Sequence, residues 1–129
     1  MARILIVDDD VASARSLSLM LEESGHGETR IEHTAATALR AGVEFGPSII
    51  FVDIELPDMS GYDVARLLHQ HPSLQQMRLI ALTDSGEHPG REQARASGFE
   101  RYLVKPVSAT ALQEVLDTLA PELPSQEHR

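Results

Sequence analysis

Ile49-Ile50-Phe51-Val52-Asp53 reads as a strand with no polar face that ends on a carboxylate. Four consecutive apolar residues suit a parallel sheet covered on both sides, where neither face of the strand meets water. The same pattern recurs in both directions along the chain. Ile4-Leu5-Ile6-Val7 runs into Asp8-Asp9-Asp10, Leu79-Ile80-Ala81-Leu82 into Thr83, and Tyr102-Leu103-Val104 into Lys105-Pro106. A weaker run, Arg30-Ile31-Glu32-His33, supplies a fifth strand candidate. Between the runs lie longer stretches with helical spacing: Ala14, Leu17 and Leu21; Val64, Leu67 and Leu68; and Leu112, Val115, Leu116 and Leu119. Gly25 and Gly98 stand where helices would end before the next strand, and Ser108 stands as an N-cap for the last helix. Alternation of this kind predicts an α/β fold, a five-stranded parallel sheet, doubly wound, with helices on both faces and right-handed crossovers.

Length and composition limit what such a fold can do. The 129 residues are enough for one domain, expected over residues 1–120, with 121–129 as a polar, flexible tail carrying two prolines. Eleven Lys and Arg against 20 Asp and Glu give a formal net charge of −9, which argues against a nucleic-acid partner and against an anionic membrane surface. There is no cysteine, so disulfide frameworks, thiolate metal sites and cysteine nucleophiles are excluded. No apolar run approaches the roughly 20 residues of a membrane-spanning helix. The N-terminus enters its first strand without a signal peptide's apolar region, so the expected location is cytoplasmic.

In open α/β sheets ligands bind beyond the carboxyl ends of the strands. Read that way, four strands end in polar side chains that would share one crevice: Asp8 and Asp9, Asp53, Thr83 and Lys105. Any one of them would pass for an ordinary helix cap. Together they form a chemical set. Carboxylates about 5 Å apart repel by roughly 3 kcal/mol per pair at an effective dielectric near 20, so the crevice must protonate one or hold a cation. An all-oxygen, carboxylate-rich cluster suits a hard divalent ion such as Mg²⁺, with Mn²⁺ as the alternative. A hydroxyl and an ammonium beside such an ion are what the oxygens of a phosphoryl group require, and a carboxylate there can attack phosphorus.

The four motifs Ile4 to Asp10, Val52 to Gly61, Ala81 to Thr83 and Tyr102 to Pro106 resemble, in order and spacing, the response-regulator receiver domain, over residues 3 to about 120. The resemblance implies a flavodoxin-like strand order 2-1-3-4-5. It implies that Asp53 is the phosphoacceptor, that Asp8, Asp9, Asp53 and the backbone carbonyl of Glu55 bind Mg²⁺, and that Thr83 and Lys105 hold the phosphoryl oxygens. Tyr102 matches the aromatic whose rotamer follows Thr83, and Lys105-Pro106 is a candidate cis peptide bond. Such a domain is a phosphoacceptor signalling module rather than an enzyme, its chemistry confined to Mg²⁺-dependent phosphorylation and dephosphorylation of itself. Its implied partners are a sensor histidine kinase or histidine phosphotransfer protein and a downstream protein bound through the fourth helix, fifth strand and fifth helix. A monomer or weak dimer is expected, with no second domain attached.

Two features depart from the family pattern. Asp84 follows Thr83 where a small residue is usual, and Pro89-Gly90, at the end of the breaker-rich stretch 85–90, breaks the fourth helix, which is expected to start late, near Arg91, and to be the least stable of the five. Two rival readings stand beside this one. Asp8 and Asp10 form the DxD of haloacid-dehalogenase-like phosphatases, but Pro106-Val107-Ser108 stands where those enzymes carry an acidic pair, and the chain is short for them. A degenerate receiver acting only as a binding module is the other reading; against it, all the key residues are present. His69 and His71 are two apart, on different faces of a helix, and read as a solvated helix end.

Overall fold

The computed structural model describes residues 2–84 and 91–119. Five strands, β1 (Ala2–Val7), β2 (Gly27–Glu32), β3 (Ile49–Asp53), β4 (Arg78–Thr83) and β5 (Phe99–Val104), alternate with helices α1 (Val11–Glu23), α2 (Ala35–Phe45), α3 (Gly61–Gln70), α4 (Arg91–Ala96) and α5 (Ala109–Leu119). A 3₁₀ turn, Pro72–Leu74, follows α3. All neighbouring strands are parallel and lie in the order β2-β1-β3-β4-β5. The order reverses between β1 and β3, whose register runs from Ile4 opposite Ile49 to Val7 opposite Val52. The carboxyl ends of these two strands therefore lie side by side.

Strand alternation divides the core into two layers. Ile4, Ile6, Ile49, Phe51, Ile80 and Leu82 face α1 and α5, where they meet Ala14, Leu17, Leu21, Leu112, Leu116 and Leu119. Leu5, Val7, Ile50, Val52, Leu79 and Ala81 face the other way, toward Ala35, Ala38 and Ala41 of α2 and Val64, Ala65 and Leu68 of α3. The second layer is lined with alanine, which lets its helices approach closely. A Cβ on Gly42 would press on Leu68.

The helix ends follow their local chemistry. Asp10, Thr34 and Ser60 each accept a backbone N–H in the first turn of α1, α2 and α3. Ser108 Oγ accepts the N–H of Ala111 at the start of α5. Gly25, past α1, and Gly98, past α4, both take positive φ (74° and 104°). Gly98 has a second reason to lack a side chain, because the His69 ring of α3 lies where its Cβ would be.

Three expectations need correction. The second strand is Gly27–Glu32 rather than Arg30–His33. Its register with β1, Ala2 opposite Gly27, starts it earlier than its apolar content indicates, and His33 lies outside it. Leu67 is 42% exposed, and the buried stripe of α3 is Gly61, Val64, Ala65 and Leu68. The fifth strand is Phe99–Val104 and starts three residues before the expected run Tyr102-Leu103-Val104; within it the register jumps from Leu79 opposite Phe99 to Ile80 opposite Arg101. The extra residue, Glu100, is a bulge that reverses the parity of the strand. Phe99 and Tyr102 thereby meet the α2/α3 layer while Leu103 meets the α1/α5 layer. Glu100 is held by Arg78, whose Nε donates to it at 2.6 Å. Helix α4 begins at Arg91. The breaker-rich stretch 85–90 and the tail 121–129 lie outside the described residues.

Candidate functional site

The sheet ladder carries the candidate residues to the rim. The N–H of Asp8 donates to the Glu32 carbonyl at 3.0 Å, that of Ile54 to Leu82 at 3.0 Å, and that of Lys105 to Thr83 at 2.7 Å. Backbone bonds thus fix every strand end from which a site residue projects. Asp8, Asp53 and Thr83 are buried, and Asp9 is exposed.

Lys105 ties the cluster together. Its Nζ lies 3.0 Å from Asp53 Oδ2 and 3.2 Å from Asp8 Oδ2. The second oxygen of Asp53 accepts the N–H of Glu55 at 2.9 Å, and Asp8 Oδ1 accepts the N–H of Asp10 at 3.0 Å. Asp53 is thus oriented at both oxygens, one by the loop that follows its own strand and one by Lys105, the residue directly after β5. Close approach of α3 completes this loop. The Gly61 N–H donates to the Ile54 carbonyl at 3.0 Å, and a Cβ on Gly61 would collide with the Asp53 carbonyl oxygen and Ile54 Cα. Only glycine fits where α3 starts against the end of β3.

The electrostatics are unbalanced. Burial raises the Asp53 carboxyl from 3.8 to about 6; the Glu55 N–H and Lys105 oppose the shift, and neighbouring Asp8 adds to it. Lys105 is held above its ordinary value: burial works against its charge, but Asp53 and Asp8 outweigh it. One carboxylate oxygen each from Asp8, Asp9 and Asp53 lies within 4.8 Å of the others. Three such oxygens against one ammonium fit a hard divalent cation. Thr83 closes β4 beside Lys105, Tyr102 is half-buried against the α2/α3 layer, and the Lys105–Pro106 peptide bond is cis. Glu55 forms an isolated bridge with Ser60 in the loop between β3 and α3.

Two positioning residues escaped the sequence reading. The His33 Nδ1–H donates to the Asp8 carbonyl at 2.8 Å, bracing the first strand end from the β2–α2 loop. Asp58 accepts the N–H groups of Ala35 at 2.9 Å and Ala36 at 3.2 Å, so the loop after β3 caps the start of α2. These bonds, the one to Ala35 foremost, lower the Asp58 pKa. His33 obeys the rule that picked out Asp8 and Asp53, a polar residue just past a strand, but the strand was too polar to mark it. Asp58 has no local signal, because its partners lie more than 20 residues away.

Residues 4–117 match the response regulator receiver domain family. Among curated proteins, the polar-differentiation response regulator DivK of Brucella ovis is 30% identical over 113 residues, 88% of this chain and 91% of that protein. Among solved structures, a CheY-like receiver domain protein from Methanospirillum hungatei superposes with a TM-score of 0.84 at 29% identity, covering 95% of this chain and 96% of that one. The chemotaxis response regulator CheY4 of Vibrio cholerae shares the fold with a TM-score of 0.85 at 23% identity, covering 92% and 98%. Among the described residues no helix is long and apolar enough to cross a membrane.

Proposed function

The chain belongs to the response regulator receiver domain family, whose members work in phosphorelay signalling, and on that premise we propose that Asp53 is its phosphoacceptor. The observation that carries this reading is the Lys105 ammonium held between Asp53 and Asp8 at the switch point of the sheet. Asp53 Oδ2 attacks the phosphorus of a phosphohistidine in line. The P–N bond breaks, and its electron pair stays on the imidazole nitrogen. Lys105 then transfers its hydrogen bond from the carboxylate to a phosphoryl oxygen, and Thr83 donates its hydroxyl to another. Asp8, Asp9, Asp53 and the Glu55 carbonyl would hold Mg²⁺, or Mn²⁺ in its place. When bound, the ion supplies the positive charge that lets a phosphoryl group approach this many carboxylates. The protein is not a turnover enzyme in this reading: it takes up one phosphoryl group per chain.

The output follows from the same residues. A phosphoryl group adds about −1.5 to −2 charge and three acceptor oxygens. Drawing Thr83 toward it opens space into which half-buried Tyr102 turns, and α4, β5 and α5 repack into a surface for a downstream protein. Inverting a population from 1:99 to 99:1 takes about 5.5 kcal/mol, within reach of several charge-assisted bonds in a sheltered site. The donor is a sensor histidine kinase or a histidine phosphotransfer protein, the receiver unit spans residues 1–120, and the working location is the cytoplasm.

Incubation with acetyl phosphate and Mg²⁺, followed by intact-mass measurement, tests the assignment. One phosphoryl group per chain is expected, and Asp53→Asn should abolish it. Labelling that survives Asp53→Asn defeats the assignment. Backbone NMR signals of residues 83 and 102–105 should move on phosphorylation, and unmoved signals would remove the switch.

A further inference from the structure

Lys105 has a third carboxylate neighbour. Asp84 Oδ1 lies 3.8 Å from its Nζ, and the Asp84 side chain is 74% exposed where that of Lys105 is only 10% exposed. Asp84 is also not one of the three residues whose oxygens converge for a cation. Its charge is therefore left facing solvent. Asp84, Lys105 and Asp10 line a cleft of about 430 Å³ together with apolar Leu17, Leu82 and Val107. A phosphoryl group that approaches Lys105 therefore meets the field of an exposed carboxylate 3.8 Å from the ammonium.

Building on the Asp53 reading, we propose that Asp84 is a specificity-determining residue: it disfavours free anionic phosphodonors in proportion to their net negative charge, and so discriminates against them relative to donors whose phosphoryl group arrives with its own positive charge. The physical cause is charge rather than size. At about 6 Å in a water-like dielectric, one unit charge changes the local concentration of another by roughly 3-fold, so a dianion is excluded by about 10-fold. A positive charge carried next to the phosphoryl group lowers the donor's net charge to −1 and reduces the exclusion to roughly 3-fold.

Two small donors separate the alternatives. Acetyl phosphate is a dianion at neutral pH; its transfer breaks the P–O bond and acetate leaves with the electron pair. Phosphoramidate carries a protonated nitrogen on phosphorus; its transfer breaks the P–N bond and ammonia leaves with the pair. Initial rates of Asp53 labelling are measured by intact mass with Mg²⁺, for the wild type, Asp84→Asn and Asp84→Ala, at low and high ionic strength. At low salt both variants should accept acetyl phosphate about 10-fold faster than wild type and phosphoramidate about 3-fold faster, with both gains shrinking at 0.5 M salt. An Asp84→Asn variant that behaves as wild type while Asp84→Ala is faster would mean that bulk governs entry, and the proposal fails. Equal gains with both donors, gains indifferent to salt, or no gain at all also overturn it. Absence of Asp53 labelling in every variant with both donors overturns the acceptor reading itself, a different outcome from any of these.

Discussion

The two apolar layers and the carboxyl rim of the sheet are built on opposite terms. In the layers every buried side chain finds an apolar neighbour, from Phe51 and Leu82 on the α1/α5 side to Val52 and Leu68 on the α2/α3 side. At the rim Asp8, Asp53 and Lys105 are taken out of water with more negative charge than the one ammonium can match. The layers hold the strands rigid, and the rim uses that rigidity to keep carboxylates closer together than they would choose. Receiver chemistry needs both, because a cluster that could relax would no longer favour a cation or a phosphoryl group.

Substitutions on either side of this divide should move stability in opposite directions. The largest loss is expected for Phe51→Ala, which empties a fully buried site in the central strand and should cost about 3–5 kcal/mol in urea unfolding. Gly61→Ala places a Cβ against the backbone of Asp53 and Ile54. It should cost about 1–3 kcal/mol and also shift the Asp53 backbone signals in NMR, since α3 must withdraw from the end of β3.

Asp53→Asn should do the reverse. The folded carboxyl titrates at about 6 against 3.8 for an unperturbed one, so the native state binds the extra proton between those values. Stability of the metal-free protein falls as pH rises through that window and stays lowered above it. The variant escapes this loss. At pH 7.5 in chelator it should be more stable than wild type by about 1–2 kcal/mol, with the gap narrowing as pH falls through 6 and closing only below 3.8. A wild type as stable as Asp53→Asn at pH 7.5 would show that Lys105 balances the rim after all. The smallest effect belongs to Leu67→Ala, expected within about 0.5 kcal/mol because Leu67 faces solvent one position from buried Leu68.

Leu67 also shows where pattern reading reaches its limit. Val64, Leu67 and Leu68 satisfy helical spacing, yet α3 turns Ala65 rather than Leu67 to the core, because the glycine and alanine of the second layer leave room for a close approach and not for another leucine. Glu100 is a second case. Strict alternation would place Phe99 and Leu103 on one face, and a bulge fixed by Arg78, on the neighbouring strand, puts them on opposite faces. The polar edge strand β2 was the hardest to delimit from composition, since its start is set by pairing with β1 and not by its own side chains.

The order of strands and helices and the parallel, doubly covered sheet were legible from the chain alone, because apolar runs and helical stripes are local consequences of what each segment must bury. So was the set of polar residues at the strand ends, because a parallel sheet sends all of them to one rim. Only the tertiary structure decided how those residues meet. The oxygens that grip Lys105, the support given to Asp8 by His33, the Asp58 cap on α2 and the exposed carboxylate of Asp84 beside the ammonium all join segments far apart in sequence. Distances between such segments are fixed by packing and register, which no single stretch of sequence encodes.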